Sequence, residues 1–128
     1  MQRYLLDTHV LLWWLADAPD LGPRCRDILA DSRNEVFVSA ASTWEISIKA
    51  ARGKVSTPDD LDSAVEDEGF SKLPISLFHG QSAGKLPDIH RDPFDRMLIA
   101  QAQTEGLILL TADENIVKYQ IRHRDPRK

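Results

Sequence analysis

The sequence predicts an α/β fold, a three-layer α/β/α sandwich in which a small parallel sheet lies between two layers of helices. Short apolar runs alternate along the chain with segments in which apolar residues recur at helical spacing. Parallel strands need helical crossovers, and those helices cover both faces of the sheet. The length of 128 residues suits one hydrophobic core, so residues 1–128 are expected to form a single domain.

The strands are predicted from short runs of Leu, Ile, Val, Phe and Tyr. Four runs have the character of buried strands, and a weaker fifth run lies near the end of the chain. The predicted strands are residues 3–6, 36–39, 73–75, 107–111 and 119–122.

Six helices are predicted between these strands, and several carry recognisable end signals. Pro23 suits a first helical turn. A glycine follows three of the patterns, at the position where a left-handed residue commonly ends a helix: Gly53, Gly69 and Gly106. The predicted helices are residues 8–16, 21–32, 43–52, 58–68, 77–85 and 93–105. The longest irregular connection, residues 84–91, precedes a candidate site and is therefore expected to be functional.

The composition excludes a membrane-spanning protein and favours a cytoplasmic one. No stretch approaches the roughly 20 apolar residues needed to cross a bilayer. The single cysteine, Cys25, cannot form an internal disulfide, which fits a reducing compartment. The net charge of −4 is unusual for a nucleic-acid-binding protein. A carboxylate cluster would add negative charge locally, however, and a bound divalent cation would reverse its sign.

Four acidic side chains stand where predicted strands end or predicted helices begin. Asp7 follows the first strand and Asp113 follows the fourth. Glu45 and Asp95 each lie in the first turn of a predicted helix. Because the carboxyl ends of parallel strands and the helices that follow them share one edge of the sheet, the four acids are expected to converge on one cleft.

Each acid also has a purely structural interpretation. Asp7 and Asp113 can cap the segments that follow them. Residues 42–45 have the pattern of a capping box, and Glu45 can pair with Lys49 one helical turn later. Asp95 can face the positive end of its helix dipole. Taken singly, each acid is better explained in this way.

Two observations favour a joint interpretation. Asp95 shares a helix face with Leu98, Ile99 and Ala102, which is the face expected to pack inward. A carboxylate is costly to bury there without a counter-charge. Asp7 lies between two strongly apolar segments of the expected core. A cleft that holds a cation accounts for both positions.

A carboxylate cluster without cysteine and without a convincing set of histidines selects a hard cation. Oxygen ligands suit Mg²⁺ or Mn²⁺, and one or two ions are expected. Such ions polarise a phosphoryl oxygen and lower the pKa of water, so phosphodiester hydrolysis is the natural chemistry.

Four segments together carry a family resemblance. They are LLDTH at residues 5–9, SAASTWEI at 39–46, HRDPFDRMLIAQA at 90–102 and LTAD at 110–113. In this order and spacing they resemble the motifs of PIN-domain nucleases, of the type found as VapC toxins of bacterial toxin–antitoxin pairs. The third segment is the most distinctive, and the four cover nearly the whole chain.

The resemblance implies a site and an activity. It implies a metal site for Mg²⁺ or Mn²⁺ formed by the four acids named above, Asp7, Glu45, Asp95 and Asp113. It also implies that the Thr111 hydroxyl supports this site and that Thr8 lies close to it. The implied activity is endoribonuclease cleavage of RNA by a toxin, whose site a cognate antitoxin protein blocks. Homodimerisation is a further expectation from the resemblance.

Two residues next to these acids have supporting roles in this prediction. Asp92 is expected to cap the helix that begins at Pro93. Arg96 has two interpretations of equal weight, as a contact to phosphate or as a partner of Asp92 or Asp95. His90 is assigned only to the loop before Asp92, because the four histidines show no metal-ligand spacing.

The three tryptophans have two possible roles. Trp13, Trp14 and Trp44 are able to stack on bases, but packing in the core or against a partner is favoured.

A receiver domain or an Asp-x-Asp phosphatase is disfavoured, because residues 7–9 read Asp-Thr-His without a second acid. The remaining alternative is a non-catalytic RNA- or protein-binding module with an acidic metal patch.

Overall fold

A five-stranded sheet with every neighbouring pair parallel forms the centre of the molecule, in a computed structural model that describes residues 1–128. The strand order is β3-β2-β1-β4-β5. The strands are β1 (Arg3–Leu6), β2 (Glu35–Ser39), β3 (Ser71–Leu73), β4 (Ile108–Leu110) and β5 (His123–Arg124). The sheet extends from β1 in both directions, so the boundary between β1 and β4 is the topological switch point at which α/β proteins form ligand sites.

Six α-helices connect the strands, and each begins and ends within three residues of its predicted position. They are α1 (Thr8–Leu15), α2 (Pro23–Ala30), α3 (Ala40–Ala51), α4 (Leu61–Asp67), α5 (Leu77–Gly84) and α6 (Pro93–Glu105). Gly106 ends α6 with a φ of 68°, the left-handed conformation that glycine adopts without strain. None of the helices combines the length and the apolar character that crossing a bilayer requires.

Apolar side chains on opposite faces of the strands build two cores, one on each side of the sheet. Leu6 of β1 and Leu110 of β4 belong to the first core, whereas their neighbours Leu5 and Leu109 belong to the second. This separation follows from the two-residue period of a strand. Helices α1, α2 and α4 cover the first core, and α6 covers the second. The predicted α/β/α sandwich with a parallel sheet is therefore confirmed.

Strand β3 lies two residues earlier than predicted. The prediction placed it at residues 73–75, whereas the structure pairs Ser71–Leu73 with β2. Pro74 has no backbone N–H to donate, so the ladder ends before it. The apolar character of Ile75 therefore misplaced the strand.

Strand β5 was also predicted too early, at residues 119–122. A 3₁₀ turn occupies Ile116–Lys118, and the short strand that pairs with β4 is His123–Arg124. Tyr119 is buried, and its hydroxyl donates to the Pro87 carbonyl at 2.8 Å. The apolar signal at this position therefore reflects a buried side chain and not strand pairing.

Lys128 caps the start of α2. This contact predicts that a methyl group added at Gly22 is destabilising. The Lys128 carbonyl accepts hydrogen bonds from the amides of Arg24 at 3.0 Å and Cys25 at 3.2 Å. A Cβ at Gly22 would overlap that carbonyl. We expect Gly22→Ala to lower the free energy of unfolding by ~1–2 kcal/mol through loss of this cap, measured by urea denaturation.

Gly80 provides the matched control for this substitution. A Cβ there meets no atom within 4 Å, and the residue lies inside α5. Gly80→Ala should therefore raise the free energy of unfolding by ~0.5–1 kcal/mol. Equal effects of the two substitutions would contradict a capping role for the last residue.

Candidate active site

Asp7 connects the end of β1 to the start of α1 and is bound from both sides. Its side chain, in a residue that is 3 % exposed, accepts a hydrogen bond from the His9 amide at 3.1 Å, which caps α1. Its other oxygen accepts a hydrogen bond from the Thr111 hydroxyl at 2.6 Å. The Asp7 amide donates to the Leu110 carbonyl at 3.0 Å, so the backbone continues the pairing between β1 and β4. The carboxylate is therefore held at the switch point of the sheet.

The charge of the Asp7 carboxylate is stabilised in place. Burial raises the pKa of Asp7, but hydrogen bonds from His9 and Thr111 outweigh burial, so the net pKa is lowered. The His9 ring lies 3.6 Å from the same carboxylate, and its pKa is raised, first by its hydrogen bond with Asp7. Asp7 therefore remains ionised at neutral pH.

A second group of side chains meets beside Asp7. His90 Nε2 lies 2.8 Å from Asp95 Oδ2 and 3.7 Å from Asp113 Oδ2. One ligand atom from each of these three residues falls within 4.8 Å of the others. These contacts join the loop before α6, the first turn of α6 and the segment after β4. Asp7 and Glu45 lie outside this tight group.

The Asp95 carboxyl has the most strongly perturbed acidity among the four acids. Burial, and after it the negative charges of Asp7 and Asp92, raise the pKa of Asp95 to about 7, although its hydrogen bond with His90 opposes the shift. The effect of Asp7 places the two carboxylates close enough to repel each other. A cation between them would remove this repulsion.

Glu45 lies one turn deeper in its helix than predicted. Ser39 caps α3, its hydroxyl accepting from the Ala41 amide at 3.0 Å, so α3 begins at Ala40 and the capping box predicted at residues 42–45 is absent. Glu45 Oε2 pairs with Lys49 at 3.0 Å, as predicted. Glu45 Oε1 is buried and has no hydrogen-bond partner. One carboxylate oxygen therefore remains available for a ligand.

Three of the supporting residues hold the acids in place. Thr111 donates to Asp7 and accepts from the Asp113 amide at 3.1 Å, so one hydroxyl links the two acids. Asp92 caps α6 by accepting from the Asp95 amide at 3.0 Å. Thr8 donates to the buried Ser42 hydroxyl at 3.0 Å and ties α1 to α3.

The Arg96 guanidinium binds backbone carbonyls and pairs with neither Asp92 nor Asp95, so that sequence-based interpretation is wrong. A contact to phosphate stays a prediction. The guanidinium donates to four carbonyls at 2.9–3.1 Å, one in the last turn of α5 and three in the loop that follows: those of Ala83, Leu86, Pro87 and His90. A planar, five-donor group suits this arrangement, and a lysine does not. Arg96 therefore shapes the loop that carries His90.

This contact set predicts the effect of replacing Arg96. We expect Arg96→Lys to lower the free energy of unfolding by ~2–3 kcal/mol, because several charge-assisted hydrogen bonds are lost. Hydrogen exchange should accelerate in residues 84–91. Arg91→Lys is the control, since Arg91 is exposed and should leave both measurements unchanged. Unaltered exchange in the Arg96 variant would refute its structural role.

Sequence reasoning missed the contact of His90 with two of the acids. His90 is five residues from Asp95 across a helix start, and such spacing determines no side-chain geometry. Its contact with Asp113 depends on β4 lying beside β1. Only its position in the segment that also carries Asp92 and Asp95 gave a signal.

The residues present fit a hard divalent cation. The available donors are carboxylate oxygens with one imidazole nitrogen, which suits Mg²⁺ or Mn²⁺ better than Zn²⁺. The unpaired Glu45 Oε1 and the raised pKa of Asp95 are both costs that a bound cation would offset. The four acids remain a predicted ligand set, with His90 as an addition from the structure.

Comparison with known proteins agrees with the four motifs. The PIN domain model matches residues 4–121, which include all four segments. The chain is 28% identical over 130 residues to Ribonuclease VapC22 of Mycobacterium tuberculosis, covering 99% of this chain and 96% of that protein. It is 39% identical over 68 residues to Ribonuclease VapC16 of the same organism, covering 52% of this chain and 48% of that protein.

The fold has a solved counterpart. The crystal structure of VapBC2 from Rickettsia felis, bound to a DNA fragment from their promoter, matches with a TM-score of 0.71 at 15% identity. The match covers 96% of this chain and 98% of that chain. The resemblance to VapC-type PIN domains is thus confirmed by sequence and by fold. The chain belongs to the PIN domain family.

Proposed function

We propose that this protein is an endoribonuclease that hydrolyses RNA phosphodiester bonds with Mg²⁺ or Mn²⁺. The observation that carries the proposal is the cluster of Asp95, Asp113 and His90 beside Asp7 at the switch point of the sheet. The names of the two mycobacterial relatives, both ribonucleases, support RNA as the substrate.

Asp7, Asp95 and Asp113, with Glu45, would hold one or two cations in this cleft. A bound cation would supply charge stabilisation at the phosphoryl oxygens and a more acidic water. Neighbouring side chains hold the ligand carboxylates in fixed orientations. Thr111 prevents the Asp7 carboxylate from rotating, and Lys49 fixes one oxygen of Glu45.

His90 and Asp95 are joined by a hydrogen bond in the metal-free protein. Their atoms lie 2.8 Å apart, and the pKa of Asp95 is raised to about 7, first by burial. The Asp95 carboxyl must lose its proton before it can bind a cation as a carboxylate. Cation affinity should therefore increase as the pH rises through neutrality.

We also propose a toxin role with an antitoxin protein as the partner. Solved structures with this fold include VapBC and toxin–antitoxin complexes, which supports a protein partner of that kind. Homodimerisation and a cytoplasmic location remain predictions from the sequence.

Metal dependence is the direct test of the proposed activity. We expect cleavage of total cellular RNA with Mg²⁺ or Mn²⁺ and none with EDTA, assayed by mapping new 5′ ends. Restoring the metal after EDTA should restore cleavage, which excludes irreversible damage. Cleavage that continues undiminished in EDTA would overturn the metal-dependent mechanism. Binding of RNA without any cleavage would favour the non-catalytic module.

A further inference from the structure

The three tryptophans have different environments, and only one is largely open to solvent. Trp13 and Trp14 pack against the first core, and Trp14 also donates to Glu68 at 2.6 Å. Trp44 is 61% exposed on α3. Its ring meets Phe94 of α6 edge to face, with centroids 5.0 Å apart and planes at 75°. Because most of the Trp44 side chain stays in solvent, it contributes little to the stability of the fold.

This aromatic pair lies directly beside the candidate active site. Trp44 precedes Glu45, and Phe94 precedes Asp95. The contact between the two rings shows that the second turn of α3 approaches the first turn of α6, and each of these turns carries one of the four acids. A nucleotide whose phosphate reached the carboxylates would therefore bring its base near the open ring of Trp44.

The charges around the site leave few cations to hold an RNA backbone. Lys49 and Arg96 are the only cations within α3 and α6. Lys49 is paired with Glu45 at 3.0 Å, and Arg96 is bound to loop carbonyls. The chain as a whole carries a net charge of −4. A contact to a base would therefore add binding energy that these two cations do not supply.

We propose that Trp44, held by Phe94, is a stacking platform for one unpaired base next to the scissile phosphate. The inference rests on the proposed RNA substrate and specifies its class as single-stranded. Every base has an aromatic face, so stacking confers affinity with little sequence preference. A base within a duplex is already stacked on its neighbours and cannot reach the ring.

A protein partner is the competing occupant of this surface. The other residues exposed along the same face of α3 are small, namely Ala40, Ser47 and Ala51, so the bulky exposed apolar surface of this helix is limited to Trp44. Continuity with the carboxylates favours a substrate contact. The oligomeric state of the Trp44 variant distinguishes a protein partner from RNA as the occupant of this surface.

The test measures RNA binding in EDTA, where cleavage is absent by the proposed mechanism. The probe is a fluorescein-labelled, unstructured RNA of about 12 nucleotides, within the usual site size of single-strand binders. We expect Trp44→Ala to raise the Kd about tenfold and Trp44→Tyr to restore most of the affinity. Phe78→Ala is the control, because Phe78 is 60% exposed on α5, a helix without candidate ligands, and should leave the Kd unchanged.

An abasic scan then identifies the stacked nucleotide. Removing the stacked base from the probe should weaken binding to the wild-type protein about tenfold. The same removal should not change the affinity of the Trp44→Ala variant, because that variant has already lost the stacking contact. A duplex of the same sequence should bind more weakly and should not respond to the substitution. In cleavage with Mg²⁺, Trp44→Ala should raise KM and leave kcat nearly unchanged.

The outcomes separate this inference from the proposed function. Equal Kd values for wild type and Trp44→Ala, or no binding of single strands at all, overturn the stacking platform. Loss of affinity together with conversion of a dimer to a monomer in sedimentation also overturns it and assigns Trp44 to an interface. Binding that depends on Trp44 without cleavage under any metal supports the platform and refutes the nuclease.

Discussion

Asp7→Asn and Asp95→Asn should each reduce RNA cleavage by at least ~10²–10³-fold, because each removes a charge directed at the reacting phosphate group or its cation. Both side chains lie at the switch point, and each substitution preserves size. Thr111→Val should cost less, ~10–100-fold, because it releases the Asp7 carboxylate and the Asp113 amide from their hydrogen bonds but removes no charge. Single-turnover cleavage at saturating Mg²⁺ measures these differences.

Asp88 provides the matched control for both substitutions. It is an exposed acid in the loop before α6 and makes none of the site contacts, so Asp88→Asn should cleave at the wild-type rate. Circular dichroism must show that each variant is folded. Full activity in both the Asp7 and Asp95 variants would eliminate the carboxylate mechanism.

The second large effect is on stability, where Asp95→Asn should make the metal-free protein more stable. Burial and the nearby charges of Asp7 and Asp92 raise the pKa of Asp95 from 3.8 to about 7. A raised pKa means that the folded state binds this proton more tightly than the unfolded state does. The stability it contributes is present at low pH and is lost as the pH rises from about 4 to about 7.

At pH 8 in EDTA, we therefore expect Asp95→Asn to unfold at a higher urea concentration than wild type. The gain in free energy of unfolding should be ~2–4 kcal/mol, because one pKa unit corresponds to about 1.4 kcal/mol. The gain should shrink as the pH falls towards 4, where wild-type Asp95 is protonated. A variant less stable than wild type at pH 8 would contradict the strained-carboxylate interpretation.

Mg²⁺ should reduce this difference in stability between the variant and the wild type. A cation at one hundred times its Kd stabilises the wild-type protein by ~2.7 kcal/mol, whereas the variant lacks a ligand and gains much less. Asp88→Asn should respond to Mg²⁺ as wild type does. Stability and cation binding thus oppose each other at Asp95, as expected of a carboxyl retained for function and not for folding.

Much of the fold was predictable because its signals are local. Helix α6 has Asp92 and Pro93 at its start and Gly106 at its end, and its predicted bounds match the structure. The β5 error had a tertiary origin. The Tyr119 side chain is buried against the loop at Pro87, and the strand that pairs with β4 is His123–Arg124.

The candidate site was partly predictable for the same reason. Asp7 and Asp113 follow β1 and β4, and strand ends can be found from apolar runs alone. Arg96 could not be assigned, because its carbonyl partners depend on how the preceding loop folds back over α6. Trp44 was indistinguishable from the core tryptophans until the contact with Phe94 located it at the cleft.

The sequence by itself determined the class of the fold, the position of the acids along it and the family, because periodicity and motifs are properties of neighbouring residues. Tertiary structure alone decided that His90 joins Asp95 and Asp113, that Thr111 links Asp7 to Asp113, and that one Glu45 oxygen remains unpaired. These contacts form only when β4 lies beside β1 and α3 packs near α6. No local pattern specifies those distances, since they depend on how the whole sheet and its two helical layers pack.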